Sequence, residues 1–293
     1  MLQIAIIFLS LFILEVLYFK VADYFNIIDK PSERGSSKFI TLRGGGIIFY
    51  IGALIWFIFY GREYWLFFTG LSMVSILSFV DDIHSLSARL RLPLQFIGML
   101  LLLSQLILGN NSIIDINSSG FFTIVLILVL GLVICTGAMN VFNFIDGING
   151  ITGGYSLIVL SAILFILDKE TLLGQSSEVE TIVSLLKIVL SAALVFCFFN
   201  FRSRAKCFAG DVGSVSIAFI ILFTLGFIVI NTGDLSWLSF LVVYGVDGCL
   251  TILHRIMLHE NISQPHRKHL FQIMANELKI PHVIVSLVYM SVQ

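Results

Sequence analysis

A chain of 293 residues that is 58% hydrophobic and only 12% charged does not have the composition of a water-soluble globule. With a mean hydropathy of +1.02 it reads as a chain built for a bilayer. The net charge of −1, with no basic stripe interleaved with aromatics, gives no sign of a nucleic-acid partner.

The opening MLQIAIIFLSLFILEVLYFK lacks the basic start and small-x-small cleavage site of a signal peptide, so it reads as a retained first span. A helix needs about 20 mostly apolar residues to cross the hydrocarbon core. Such segments fall near 2–19, 46–60, 64–80, 92–109, 121–140, 151–167, 182–200, 215–231 and 237–253. A tenth opens near Pro281 with 13 residues to the end of the sequence, about 20 Å of helix. It is expected to be a truncated span rather than a re-entrant one. Cys135, Cys197, Cys207 and Cys249 are scattered without disulfide or metal-ligand spacing and read as small apolar residues.

The loops divide into two sets. Residues 20–45, 81–91, 141–150, 201–214 and 254–280 carry 14 of the 17 Lys and Arg. The opposite set holds Arg62 and Lys169, with Lys187 just inside a span. The positive-inside rule puts the first set in the cytoplasm and the N-terminus outside. The expected fold is therefore all-α: one integral-membrane domain over 1–293, a polytopic transmembrane helical bundle of about ten spans. The unusual polar sequence lies in the same five loops, which favours chemistry at one face.

In DKPSERGSSKFITLRGGGI, three glycines after Arg43 let backbone approach a ligand closely, and exposed N–H groups suit an anion. In FVDDIHSLSARLRLP, Asp81 and Asp82 directly follow an apolar run, where a carboxylate is costly. Something cationic should balance them: a metal, Arg89 or Arg91. Successive helical residues lie about 100° apart, so the two acids can serve different partners. NVFNFIDGINGITGG sets Asn140, Asn143 and Asp146 three residues apart on roughly one helix face. Amide carbonyls and a carboxylate are hard oxygen ligands suited to Mg²⁺, and Gly147 and Gly150 then break the helix. In AKCFAGDVGSVS, Asp211 stands between Gly210 and Gly213 where a span opens. No Gly-Lys-Ser/Thr follows, so this is not a Walker loop. In HRIMLHENISQPHRKHLFQ, His266 and His269 flank Arg267 and Lys268 as a cationic cluster better suited to a phosphate clamp than to zinc.

In this order, the five stretches resemble the polyprenyl-phosphate N-acetylhexosamine-1-phosphate transferases, from about Asp29 to Gln272. The resemblance matches Asp81 and Asp82 to the family's paired aspartates and Asn143 and Asp146 to its Asn-x-x-Asp-Gly signature. Asp211 matches its Gly-Asp-x-Gly-Ser metal site, and His266 and His269 its histidine loop. Asp247 and Arg255 look like a further family pair. There are departures. Asn149 stands where many relatives have an Asp that faces the uridine, Ser37 where bacterial relatives often have His, and Ile40 and Leu42 where they often have Pro. The triple-His signature of the peptidoglycan translocase is absent, so a MurNAc-pentapeptide donor is not expected.

The likeness implies a UDP-sugar donor, a polyprenyl phosphate acceptor and Mg²⁺, with Mn²⁺ as an alternative. It implies UMP release and a site on the cytoplasmic face of a bacterial inner membrane, and it leaves room for a homodimer. In that reading Asp211 and Asn143 hold the metal and Asp146 orients its shell. Asp81 or Asp82 keeps the acceptor phosphate deprotonated or in position, or acts as nucleophile in a covalent route. His266, His269 and Arg267 hold diphosphate oxygens, and Arg43, Gly147, Asn149 and Arg255 make further substrate contacts. GlcNAc and its deoxy or amino relatives all suit the donor, with the 254–280 loop as the expected selector. The alternative is a polytopic transporter of a phosphorylated metabolite. It would more often place polar residues at mid-membrane in repeated halves, and no repeat is present. An intramembrane aspartyl protease would need Gly-x-Gly-Asp, whereas Phe208-Ala209 precede Gly210-Asp211.

Overall fold

The computed structural model describes residues 2–29, 40–108, 121–168, 173–174, 176–261 and 266–293, and for 121–124 the backbone alone. In chain order these are α1 (Leu2–Tyr24), β1 (Ile28–Asp29), β2 (Thr41–Leu42), α2 (Ile47–Phe59), α3 (Trp65–Ile83) and α4 (Ala88–Ile107). They continue as α5 (Phe121–Ile145), α6 (Ile151–Asp168), α7 (Ser177–Asn200), α8 (Gly210–Thr232), α9 (Val242–Met257), α10 (Leu270–Gln272) and α11 (His282–Val292). The two short strands pair antiparallel, Ile28 opposite Leu42.

Helix α8 is apolar all round and forms the hub, with 83% of its apolar window buried, against α2, α3, α4, α5 and α6. By contrast α1 and α5 are 17% buried over theirs, leaving residues such as Leu9, Ile13, Val133 and Ile134 exposed. An apolar exterior around a packed centre is what a helical bundle in lipid requires, since every backbone polar group is satisfied within a helix.

Among the described residues, eight helical segments are long and apolar enough to cross a membrane. Two of the expected spans are shorter: the segment 46–60 forms the 13-residue α2, and the one at Pro281 forms the 11-residue α11. Helix α5 runs on to Ile145 and so carries Asn140 and Asn143 within its last turns. Helix α8 starts at Gly210, five residues before the expected 215, because a distant acid supplies its cap.

The bundle has two distinct ends. At one, the Trp56 indole donates to Thr181 O and Ser184 Oγ, and Lys187 pairs with Asp168. At the other, described parts of all five polar stretches assemble around two adjoining cavities.

Candidate active site

The first loop is seated by its glycine triplet. Gly44 has φ +79°, and a Cβ there would fall 2.4 Å from the Tyr18 hydroxyl, which donates to Arg43 O at 2.6 Å. A Cβ on Gly46 would lie 2.3 Å from the Cα of Gly213. The N–H groups of Gly45 and Gly46 donate to Phe208 O and Ala209 O at 2.9 and 3.1 Å. The triplet therefore does not offer these N–H groups to an anion, as the sequence suggested. It lets backbone lie directly on the entry of α8 and fixes where Arg43 emerges. Ser37 lies outside the described residues.

Arg43 enters an acid cluster. Its Nε donates to Asp82 Oδ1 at 2.6 Å and its Nη2 to Asp211 Oδ1 at 3.2 Å. Arg91, on the first turns of α4, donates through Nη1 to Asp81 Oδ2 at 2.5 Å and to Asp211 Oδ2 at 3.3 Å. Asp82 also accepts the backbone N–H of Asp211 and Val212, and Asp81 that of Leu86. The adjacent acids do serve different partners. Asp82 caps α8 and binds Arg43, while Asp81 closes the turn after α3 and binds Arg91.

The polar stretch after α5 completes the first cavity. The Asn143 amide donates to Ser214 Oγ at 3.1 Å, which leaves its carbonyl oxygen as an acceptor. Asp146 Oδ1 accepts from Thr152 at 2.6 Å. Burial pushes the Asp146 carboxyl up to about 7, reinforced by Asp211 and Asp82 and opposed by Thr152 and Arg43. Asn149 donates from Nδ2 to Arg202 O and Ser203 O. Gly150, at φ +89°, turns the chain into α6 against the Phe201 ring, where a Cβ would fall 2.3 Å away. The cavity is about 200 Å³ and is lined by Asp29, Arg43, Asn143, Asp146, Gly147, Asn149 and Asp211 among others.

If Asp81, Asp82, Asp146 and Asp211 are all ionised, Arg43 and Arg91 balance two of four charges. Among the described residues no three His, Cys, Asp or Glu side chains form a metal cage by themselves. Two carboxylates and an amide carbonyl facing a charge deficit are nonetheless a donor set that fits Mg²⁺, which characteristically takes one or two carboxylates and completes its shell with substrate phosphate and water.

A second cavity of about 500 Å³ opens beside the first, between α4, α5, α9 and the 266–272 segment. Its walls mix Leu92, Val141, Phe144 and Ile252 with Arg91, Arg255 and His269. Asn140 faces this cavity and bonds to Gln95, so the expected Asn140–Asn143–Asp146 face is split between the two spaces. His269 is 4% exposed; its Nδ1 lies 3.3 Å from Thr251 and 3.5 Å from Asp247, and its Nε2 is buried without a hydrogen-bond partner. Asp247 in turn accepts from Leu270 N and the Tyr289 hydroxyl.

The expected cationic cluster changes character here. Partial burial, then His269 and Arg255, pull His266 down to about 4, so it is neutral at physiological pH. Arg255 and Lys268 both engage Glu260. Arg267 is exposed and is not among the residues lining either cavity. Sequence reasoning missed Tyr18, Thr152, Asn200 and Ser214. It also missed His282, which lines the first cavity from the start of α11. Tyr18, Asn200 and His282 bond to residues distant in the chain and have no local signature. Thr152, by contrast, lies six residues from its partner Asp146, and Ser214 ends the Gly-Asp-x-Gly-Ser stretch.

A family model described as glycosyl transferase family 4 matches residues 64–232, which include every acid of the first cavity except Asp29. The chain is 25% identical over 270 residues to the probable undecaprenyl-phosphate N-acetylglucosaminyl 1-phosphate transferase of Bacillus subtilis (strain 168), covering 89% of this chain and 73% of that protein. It is 28% identical over 239 residues to the undecaprenyl-phosphate alpha-N-acetylglucosaminyl 1-phosphate transferase of Escherichia coli (strain K12), covering 74% and 60%. The Salmonella typhi protein of that name is 29% identical over 232 residues, covering 75% and 60%. The chain thus spans about three fifths of the length of these enterobacterial relatives.

Proposed function

The chain belongs to glycosyl transferase family 4, and from that premise we propose that it transfers an N-acetylhexosamine 1-phosphate from a UDP-sugar to undecaprenyl phosphate. An oxygen of the acceptor phosphate bonds to the sugar-linked phosphorus, the bridging P–O bond breaks, and UMP departs. The product would start a cell-surface polysaccharide on the cytoplasmic face of the inner membrane. GlcNAc is the donor sugar named for the relatives and the first to test.

One observation carries this reading. The oxygen-lined cavity and the larger, partly apolar cavity meet at the Asp211–Arg91 ion pair, so a diphosphate in one and a lipid phosphate in the other would face each other across it. The central difficulty of the reaction is that one phosphate anion must attack another. Mg²⁺ or Mn²⁺ held by Asp211, Asn143 and Asp146 would offset that repulsion and the charge on departing UMP. Arg43 would lie against the same diphosphate. With both Nδ2 hydrogens spent on backbone carbonyls, Asn149 keeps only its Oδ1 for the uracil N–H. In the second cavity His269 Nε2 and Arg255 would hold the acceptor phosphate, with Phe144 and Ile252 against its isoprenoid chain.

Direct attack by the acceptor is the favoured route. Both oxygens of Asp82 are bonded to α8 backbone N–H groups, and both oxygens of Asp81 are bonded to Leu86 N and Arg91. A nucleophilic carboxylate would first have to give up these partners. An acceptor phosphate with a second pKa near 6 already offers an ionised oxygen.

The test is incubation of detergent-purified protein with Mg²⁺, undecaprenyl phosphate and a panel of UDP-sugars, following UMP. UMP release dependent on the lipid, and lost in Asp211→Asn, is expected. Flux of a phosphorylated solute into sealed vesicles without UMP release would replace this reading with a transporter.

A further inference from the structure

We infer that Arg91 links the two halves of the site: a divalent cation at Asp211 displaces the Arg91 guanidinium, which then holds an isoprenyl phosphate in the adjoining cavity. The inference rests on the transferase reading above and adds to it a role for a residue in neither the metal set nor the substrate set.

Both oxygens of Asp211 are taken by arginines, Oδ1 by Arg43 and Oδ2 by Arg91. A cation approaching Oδ2 meets the Arg91 charge at ion-pair distance, so the two compete for one oxygen. Arg43 is held by its 2.6 Å contact to Asp82, the acid that also caps α8. Arg91 is held by contacts of closely similar lengths, 2.5 Å to Asp81 and 3.3 Å to Asp211 against 2.6 and 3.2 Å for Arg43. But Asp81 caps no helix, and its short contact provides a pivot that can persist when the longer one breaks. Of the two arginines, Arg91 is the one with somewhere to go, because it already lines the second cavity.

Part of the positive charge around that cavity is already engaged. Arg255 and Lys268 share Glu260, and His266 is neutral near physiological pH. Yet the buried Nε2 of His269, without a partner, marks a place where a polar ligand atom belongs. A phosphate seated there would draw Arg91 toward it and away from Asp211, which opens Asp211 to the cation. Binding of cation and of isoprenyl phosphate must then favour each other by the same factor in both directions.

The test measures binding without turnover. Farnesyl phosphate is titrated into full-length protein in detergent by calorimetry, in Mg²⁺ and in EDTA, with no UDP-sugar present. Mg²⁺ should tighten binding about tenfold in wild type, within the usual range of coupling between sites, and less than about twofold in Arg91→Gln. In the reciprocal titration, followed by the electron spin resonance of Mn²⁺, Arg91→Gln should bind Mn²⁺ more tightly than wild type without lipid and gain nothing when lipid is added. Arg91→Lys, which keeps the charge, should retain part of the coupling and serves if the Gln variant unfolds. A Mg²⁺ effect of wild-type size in Arg91→Gln would mean that the cation touches the phosphate directly and would overturn the inference. Farnesyl phosphate binding that ignores Mg²⁺ in wild type overturns it too. If neither Mn²⁺ nor farnesyl phosphate binds wild type at all, the transferase reading falls with it.

Discussion

The carboxylate of Asp82 accepts the backbone N–H groups of Asp211 and Val212 at 2.9 and 3.0 Å, so one acid builds the helix end that presents another. A helix start leaves its first N–H groups without intrahelical partners. Here the cap comes from 129 residues upstream instead of from the local Ala209. Asp82→Asn should therefore act through structure. It swaps one oxygen for an amide that cannot accept, so a buried backbone N–H of α8 loses its partner. It also weakens the Arg43 ion pair, although Arg43 keeps Asp211. The expected cost is about 1–3 kcal/mol, as for a buried polar group left without its hydrogen bond, visible as a lowered unfolding midpoint. Asp211→Asn should leave that midpoint near wild type while abolishing UMP release. Equal destabilisation by both changes would show that the acids are not divided in this way.

Gly46 and Gly213 give a second structural test. Gly46 has φ −68°, which any residue adopts, so replacing it strains no backbone. An alanine methyl would nevertheless sit 2.3 Å from the Gly213 Cα and 2.9 Å from Ala209 O, both backbone atoms with little room to give. Gly46→Ala should cost about 1–3 kcal/mol from overpacking and shift the Arg43 loop off α8. A thermal melt with Mn²⁺ binding alongside reads both effects; an unchanged melt would mean the loop is looser than its packing implies.

These two cases mark what was legible in the sequence. The ends of the apolar runs could be read, and so could the convergence of their polar flanks, because neither lipid nor packing explains Asp81, Asp146 or Asp211 where they stand. What could not be read was every feature set by partners far along the chain. The start of α8 depends on Asp82, and the seat of Arg43 on Tyr18 and Gly213. Asn140 shows the limit of spacing arguments. It lies about 60° around the helix from Asn143, near enough to suggest one face and far enough to enter the other cavity. His266 shows a similar limit for charge, since its ionisation is decided by neighbours that spacing does not reveal.

Asp146 makes the fold pH-sensitive. Its pKa is raised by burial from an ordinary 3.8 to about 7. Between those values the folded chain holds a proton that the unfolded chain has lost. That contribution to stability is fully present below the unfolded pKa and is lost as pH rises through the folded one. Without divalent cations, Asp146→Asn should gain stability over wild type as pH rises from 4 to 8. Mg²⁺ at pH 8 should narrow the difference by stabilising the ionised carboxylate. Melting curves at both pH values decide this, and an advantage that stays constant with pH would place the titration elsewhere.

Tyr289 tests whether the second cavity serves the acceptor alone. Its hydroxyl donates to Asp247 Oδ2 at 3.0 Å, and Asp247 holds the His269 segment through Leu270 N and the His269 ring. None of these side chains lines the first cavity. Removing one hydrogen bond to a charged group costs about 1.5–3 kcal/mol where it is fully expressed, roughly ten- to a hundredfold in affinity. Tyr289→Phe loosens Asp247 and only indirectly His269, so the expected effect is at the lower end: about a tenfold rise in KM for undecaprenyl phosphate, with KM for the UDP-sugar unchanged. His269→Ala should act in the same direction and more strongly, because it removes the unpartnered Nε2 itself. Should either variant raise the KM of the donor rather than that of the lipid, the assignment of the two cavities would have to be exchanged.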